Sequence, residues 1–232
     1  MKEVNELAKT DKGFLRISID TKARVKVGEF ARGGRNRAHV AALDHDYTPE
    51  TILTPTGIFL PEYDELHIAL VDSKVTSDCI VDCLDRWWTA NKIRFLGVHT
   101  LLLNQDNGPE NSSRRTQFIK RIIEFADKHE ICVRLAYYPP YHSKYNPIER
   151  CWGVLENYWN GCLLDTVKAV REFASGMTWK GRHPTVELVT KTYETGVRLT
   201  KKVMSALEER LDRFPGLEKW FIDVVPGKPA PG

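Results

Sequence analysis

Three carboxylates stand where a folded chain can bring acids together. Asp20 ends the run Phe14–Asp20 (FLRISID), Asp106 follows an apolar run and precedes Asn107-Gly108, and Glu149 lies in the first turn of the helix that Pro147 opens. Strand ends and helix starts converge at one edge of an α/β sheet, the edge at which such folds hold ligands. Three acids gathered there repel one another and raise each other's pKa unless a cation sits among them. The donors are all oxygen, with neither His nor Cys at ligand spacing, which selects magnesium, or manganese as its substitute, over zinc. Two such ions serve an in-line displacement at a phosphodiester: one activates water or a 3′-hydroxyl, the other stabilises the leaving oxygen. The same acids also read as turn formers and as a partner for a helix dipole, and spacing alone leaves both readings open.

The neighbours of these acids divide in the same way. Asn107 and Gly108 either let the backbone turn closely beside Asp106 or form an ordinary Asn-Gly turn. His142, Ser143 and Lys144 precede the Glu149 helix, where a loop can approach a phosphate, and Lys144 is the foremost phosphate contact. Arg114 and Arg115 begin a helix after the Asp106 turn, so at least one is expected to face nucleic acid. Asn146 is placed to cap the Glu149 helix. Lys22 and Lys26 belong to a basic block, residues 21–37, with six Lys or Arg against one Glu; residues 44–65 then carry six acids and no Lys or Arg. Such a block tracks phosphates or is simply a solvated hairpin. Asp72, the main rival carboxylate, either supports the site from behind the ligands or simply ends its strand, and the strand end is the favoured reading; Glu156 is about 10 Å beyond Glu149 along the helix axis, too far to share its ion. Ile148, Trp152, Leu155 and Trp159 form an apolar stripe that reads as core.

The elements that must position these residues follow from periodicity. The chain has 232 residues, enough for one large domain or one with an appendage. Its 42% hydrophobic and 28% charged residues are those of a globular protein. No apolar run approaches a membrane span, and no leader pattern opens the chain. Five cysteines without C-x-x-C spacing fit free thiols in a reducing, cytoplasmic compartment. Strands are expected at Phe14–Asp20, at Ala23–Phe30 as its hairpin partner closed by Gly33-Gly34, and at His67–Val71. A helix is expected over Asp78–Asn91, with Ile80, Leu84, Trp87 and Trp88 on one face, then a strand over Val98–Leu103. A second helix capped by Ser112 or Ser113 runs to Lys128, a fifth strand covers Ile131–Ala136, and Pro147 starts a third helix. Strands first, then strands alternating with helices, define an α/β class with a mixed five-stranded sheet flanked by helices. Beyond Gly161 the pattern changes to helix at Thr166–Ala174, strand at Val186–Thr190, helix at Lys201–Leu211 and strand at Trp220–Val225. The expected organisation is a loose helix over 1–12, a core domain over 13–161, a C-terminal α+β extension over 162–226 and a frayed tail over 227–232.

Three local sequences carry a resemblance. Ile17-Ser18-Ile19-Asp20-Thr21-Lys22, Gln105-Asp106-Asn107-Gly108 and Pro139-Pro140-Tyr141-His142-Ser143-Lys144-Tyr145-Asn146-Pro147-Ile148-Glu149 resemble the three signature blocks of DDE transposases. The second is also similar to retroviral integrases. The third is the most specific and resembles mariner-like and related bacterial insertion-sequence enzymes, above all the ISAzo-type transposases. The likeness extends through Thr76–Trp88, Thr178–Gly181, Tyr193–Val197 and Trp220–Pro226. It implies an RNase H-like fold in which Asp20, Asp106 and Glu149 ligate two Mg²⁺ ions. It further implies hydrolysis at transposon ends and transfer of the 3′-hydroxyl into target DNA, by a homodimer on DNA in the bacterial cytoplasm and nucleoid. The spacing from Asp106 to Glu149 is 43 residues, longer than is usual in mariner-like enzymes, and the Ser112–His129 helix accounts for the excess. The first block arrives at residue 20, so the expectation is a catalytic domain without the N-terminal helical region that reads terminal repeats. Two rivals remain: a truncated, catalytically silent relic that binds DNA or a partner transposase, and a different nuclease on the same fold.

Overall fold

The computed structural model of the protein describes residues 1–30, 49, 51–139, 142 and 145–227. In chain order its strands are β1 (Phe14–Thr21), β2 (Val25–Val27), β3 (Thr51–Leu60), β4 (Glu65–Val71), β5 (Thr100–Gln105), β6 (Cys132–Tyr137), β7 (Thr185–Val189), β8 (Leu211–Arg213) and β9 (Phe221–Val224). The α-helices are α1 (Lys2–Thr10), α2 (Ser77–Asn91), α3 (Thr116–His129), α4 (Ile148–Trp159), α5 (Val167–Gly176) and α6 (Lys201–Glu208). The α/β class expected from the sequence is the class observed. The chain forms two compact units, Met1–Ile19 with Val75–Asn146 and Tyr193–Gly232, and Asp20–Lys74 with Pro147–Thr192.

In the first unit, β1 runs parallel to β5 with Ile17 opposite Leu103, and β5 runs parallel to β6 with Leu101 opposite Val133. All six residues of β5 are buried, as a strand covered on both faces requires, and its apolar run Leu101-Leu102-Leu103 reflects this. Two of the polar residues left inside pair with each other: Arg16 Nε donates to Asn104 Oδ1 at 2.6 Å. Strand β9 adds antiparallel to β6, and β8 antiparallel to β9. Helix α2 starts where the Thr76 hydroxyl accepts from the Cys79 amide, and it buries Ile80, Leu84, Trp87 and Trp88, the face its spacing foretells. Both indoles reach a neighbouring element, Phe95, with ring centroids 6.4 and 6.2 Å away. Arg121 of α3 ties to Asp78 and Asp82 of α2, and Lys128 and His129 to Asp85. Helix α3 ends at Glu130 in the left-handed conformation, φ 51°.

In the second unit, β3 and β4 pair antiparallel from Thr54–Val71 to Leu60–Glu65, β7 joins β4 in parallel, and β2 pairs antiparallel with β3. One apolar cluster fills it: Val25, Leu53, Ile68 and Leu70 pack with Ile148, Trp152, Leu155 and Trp159. The stripe read on α4 is therefore core.

Several local expectations are corrected. Val25–Val27 pairs with β3 rather than forming a hairpin with β1, because Val25 and Val27 are drawn into the cluster beneath α4. The Gly33-Gly34 turn lies outside the described residues. Strand β3 is absent from the sequence reading, since Pro55 and Gly57 interrupt its apolar pattern. Neither Ser112 nor Ser113 caps α3, which begins at Thr116 after Arg115. The helix at Lys201 stops at Glu208, and Leu211–Arg213 turns into a strand against β9. All five cysteines are free thiols, as expected, and burial pushes the Cys151 thiol up to about 12. No helix among the described residues is long and apolar enough to cross a membrane.

Candidate active site

Asp20 and Glu149 belong to the second unit. Asp20, near the end of β1, is half-buried, and its Oδ2 accepts a hydrogen bond from Trp152 Nε1 at 2.8 Å. Trp152 is 4% exposed and sits three residues after Glu149, on the same face of α4, about 4.5 Å along the axis. Two residues beyond Asp20, Lys22 Nζ pairs with Glu156 at 2.7 Å, and the Lys22 amide donates to the Pro55 carbonyl. The end of β1 is thus tied to α4 at Trp152 and again one turn later at Glu156, while half-buried Glu149 stands one turn earlier. Gly57 makes this approach possible: a Cβ there would lie 2.6 Å from Ile148 and from the Trp152 ring. The lysine expected on DNA at position 22 is already engaged by an acid of α4.

Asp106 belongs to the first unit. It follows β5 directly and is half-buried. Asn111 grips it: Nδ2 lies 3.3 Å from Asp106 Oδ1, 3.2 Å from the Asp106 carbonyl and 3.3 Å from Gln105 Oε1. Asn111 is itself held, its carbonyl accepting from the Tyr137 hydroxyl at 3.0 Å; complete burial drives that phenol well above its ordinary pKa. Gly108 leaves room for the clamp, because a Cβ there would stand 2.8 Å from Asn111 Oδ1 and 3.3 Å from Asp106 Oδ1. Asn107 Oδ1 accepts from the Ser113 amide at 3.0 Å and staples the loop that leads to α3.

Asn146 is not a cap. No side chain caps α4, whose N-cap position is Pro147. Buried Asn146 instead accepts from the Ser18 hydroxyl and donates Nδ2 to the Ile19 carbonyl at 3.0 Å, fixing the last turn of chain before Asp20. Burial explains the change of role: an amide inside the unit takes the nearest unpaired backbone group. Among the remaining cations, Arg115 is tied to Glu110 at 3.1 Å, and Lys26 lies over the Phe30 ring at 5.2 Å. Arg114 is exposed. His142 is exposed and stacked on Tyr145, and Lys144 lies outside the described residues.

The donor chemistry suits a hard divalent cation: oxygen only, half-buried, with Asp20 and Asp106 each steadied by an N–H donor. Among the described residues, no three His, Cys, Asp or Glu side chains gather closely enough to hold one ion together. Trp152, Asn111, Ser18 and Gly57 escaped the sequence reading. Trp152 was legible as core, but nothing in the stripe announces that its N–H faces a carboxylate.

The family to which this α/β chain belongs defines its class, that of nucleic-acid-processing catalytic domains. The chain belongs to the Rhodopirellula transposase DDE domain family, whose model matches residues 1–226. Among solved structures it is similar to the HTLV-2 integrase catalytic core domain in complex with magnesium. The dimeric form is 16% identical, covering 73% of this chain and 91% of that one, at a TM-score of 0.38. The trimeric form is 15% identical, covering 74% and 93%, at 0.36. The human cytomegalovirus terminase nuclease domain is 9% identical, covering 84% and 72%, at 0.31. No curated protein matches the chain.

Proposed function

We propose that this DDE domain cuts and joins DNA, hydrolysing a phosphodiester at a transposon end and transferring the freed 3′-hydroxyl into target DNA. Asp20, Asp106 and Glu149 are the carboxylates that would hold two Mg²⁺ ions, with Mn²⁺ as substitute. When bound, these ions supply the activation of the attacking oxygen and the stabilisation of the leaving one. Trp152 and Asn111 orient two of the carboxylates; Arg114, His142 and Lys144, with Lys22, Lys26 and Arg115, are the candidates for backbone contact, and Asn107, Gly108 and Asn146 support the loops. In the first reaction the oxygen of water bonds to phosphorus as the P–O3′ bond breaks, leaving a 3′-hydroxyl. In the second that hydroxyl attacks a target phosphodiester, whose own 3′-oxygen departs. The active form is a homodimer on paired ends. The observation that carries this reading is the Trp152–Asp20 hydrogen bond, which docks the first acid beside the turn of α4 that bears Glu149.

The test follows thermal unfolding while Mg²⁺ or Mn²⁺ is titrated, with Asp106→Asn alongside, and then cleavage of duplex DNA. Metal-dependent stabilisation that Asp106→Asn loses is expected. Asp106→Asn and Glu149→Gln should bind DNA yet fail to cut it; wild-type-like cleavage by either would overturn the assignment. A silent relic that binds DNA or a partner transposase without turnover is the rival reading. It predicts DNA binding with no response to metal and no cleavage.

A further inference from the structure

The first unit contains a cavity of about 320 Å³ that the three acids do not line. Its walls are the turn before α3 (Ser113 and Arg114), the first turn of that helix (Thr116 and Ile119) and the later segment that supplies Met204, Glu208, Arg213, Glu218 and Lys219. Three independent features of it favour an anion. First, α3 is a 14-residue helix with no side-chain cap, so its first-turn amides present partial positive charge there. Second, Ser113 is 1% exposed, and its hydroxyl has no hydrogen-bond partner among the described residues. A buried hydroxyl left unpaired is costly unless something comes to meet it.

Third, the charges around the cavity are unequally committed. Glu208 is spent on Arg213, which also donates to the Glu218 carbonyl at 3.1 Å and sits 3.5 Å from the Ser113 carbonyl. The Glu218 carboxylate accepts the Gly216 amide at 2.7 Å. Arg114 and Lys219, both exposed, form no ion pair among the described residues. The lining therefore carries three cations against two carboxylates, with Arg213 paired to Glu208 and Lys219 attracting Glu218, so one net positive charge, a buried hydroxyl and a helix N-terminus remain to meet an anion. The Ser113 amide bonded to Asn107 Oδ1 joins it to the loop that follows Asp106.

We infer that this cavity is a phosphate subsite that takes one backbone phosphate of bound DNA, with Arg114 and Lys219 as its charged contacts and Ser113 as its hydroxyl donor. This rests on the reading of the chain as a DNA-acting domain. It adds the segment around Lys219, far in sequence from every signature block, to the DNA-binding surface.

The experiment measures affinity for a fluorescent duplex of arbitrary sequence across a series of salt concentrations, in wild type and in Lys219→Glu, Arg114→Ala and Ser113→Ala. Lys219 and Arg114 are exposed, so their variants fold even where Ser113→Ala does not. Severalfold weaker binding is expected in the charge variants. In Lys219→Glu and Arg114→Ala the slope of log affinity against log salt should shrink by about 1, as loss of one phosphate contact requires. Variants that bind like wild type, with an unchanged slope, overturn the subsite. Inorganic phosphate is titrated in parallel: if it stabilises wild type but not Lys219→Glu while duplex affinity is equal in the two, the site takes free phosphate and the backbone assignment falls. A wild type that binds no duplex at low salt instead sinks the proposed function itself.

Discussion

The indole of Trp152 and the carboxylate of Asp20, 132 positions apart in sequence, share a hydrogen bond of 2.8 Å. The indole is at once core and positioning group: its ring packs in the cluster beneath α4 while its one N–H meets the acid. Trp152→Phe keeps most of the packing and removes only that donor. Loss of a hydrogen bond to a charged acceptor costs about 1–2 kcal/mol at a half-exposed site. A small fall in melting temperature is expected beside a larger loss of Mn²⁺ affinity, read by calorimetric titration. A variant with unimpaired metal binding would reduce Trp152 to core alone.

Gly57 sets the distance between β3 and α4. In Gly57→Ala the new methyl would meet Ile148 and the Trp152 ring at 2.6 Å, and overpacking of this kind costs about 1–3 kcal/mol. Chemical denaturation should show the loss. The same variant should weaken metal binding, because the indole can retreat only by releasing Asp20.

On the other aspartate, Asn111→Asp replaces the clamping amide with a second carboxylate beside Asp106. The like charge should raise the pH at which the pair is fully ionised, so metal binding should fall off at a higher pH than in wild type. Titration with Mn²⁺ at a series of pH values reads the shift directly, and an unchanged profile would remove Asn111 from the site.

Acid stability has a separate source at the C-terminal end of α3. Arg210, bonded to both oxygens of Asp127 at 2.5 and 3.0 Å, holds that carboxyl below its ordinary range, and the Gly227 amide helps at 2.7 Å. A carboxylate whose folded pKa is depressed contributes stability above its unfolded value, near 3.8 here, and loses it as pH falls through the folded value. Arg210→Ala should therefore lower the melting temperature at pH 5–7 and leave it nearly unchanged at the acid end of the range. A uniform loss at all pH values would point to packing by the arginine stem instead.

Much of the architecture was legible because burial writes a period into the chain. The faces of α2 and α4, the run Leu101-Leu102-Leu103 of β5 and the start at Pro147 all follow from apolar spacing and helix-end chemistry. Strand β3 was not legible, because Pro55 and Gly57 break its pattern; Gly57 is there to admit the side chains of α4. The change from α6 to β8 was hidden too, since Leu211–Arg213 becomes a strand only by pairing with β9.

The residue pattern alone singles out the three acids proposed for the chemistry. Asp20, Asp106 and Glu149 sit at element ends for reasons of local pattern, and their all-oxygen donor type already selects the ion. Only the tertiary structure decided what holds them. A hydrogen bond between residues 132 positions apart, an amide that turns from cap to brace once buried, and a glycine whose missing Cβ admits an indole are all set by packing. Sequence spacing records which residues can share a face; which polar atom meets which is fixed only when the interior closes and each buried donor must find an acceptor.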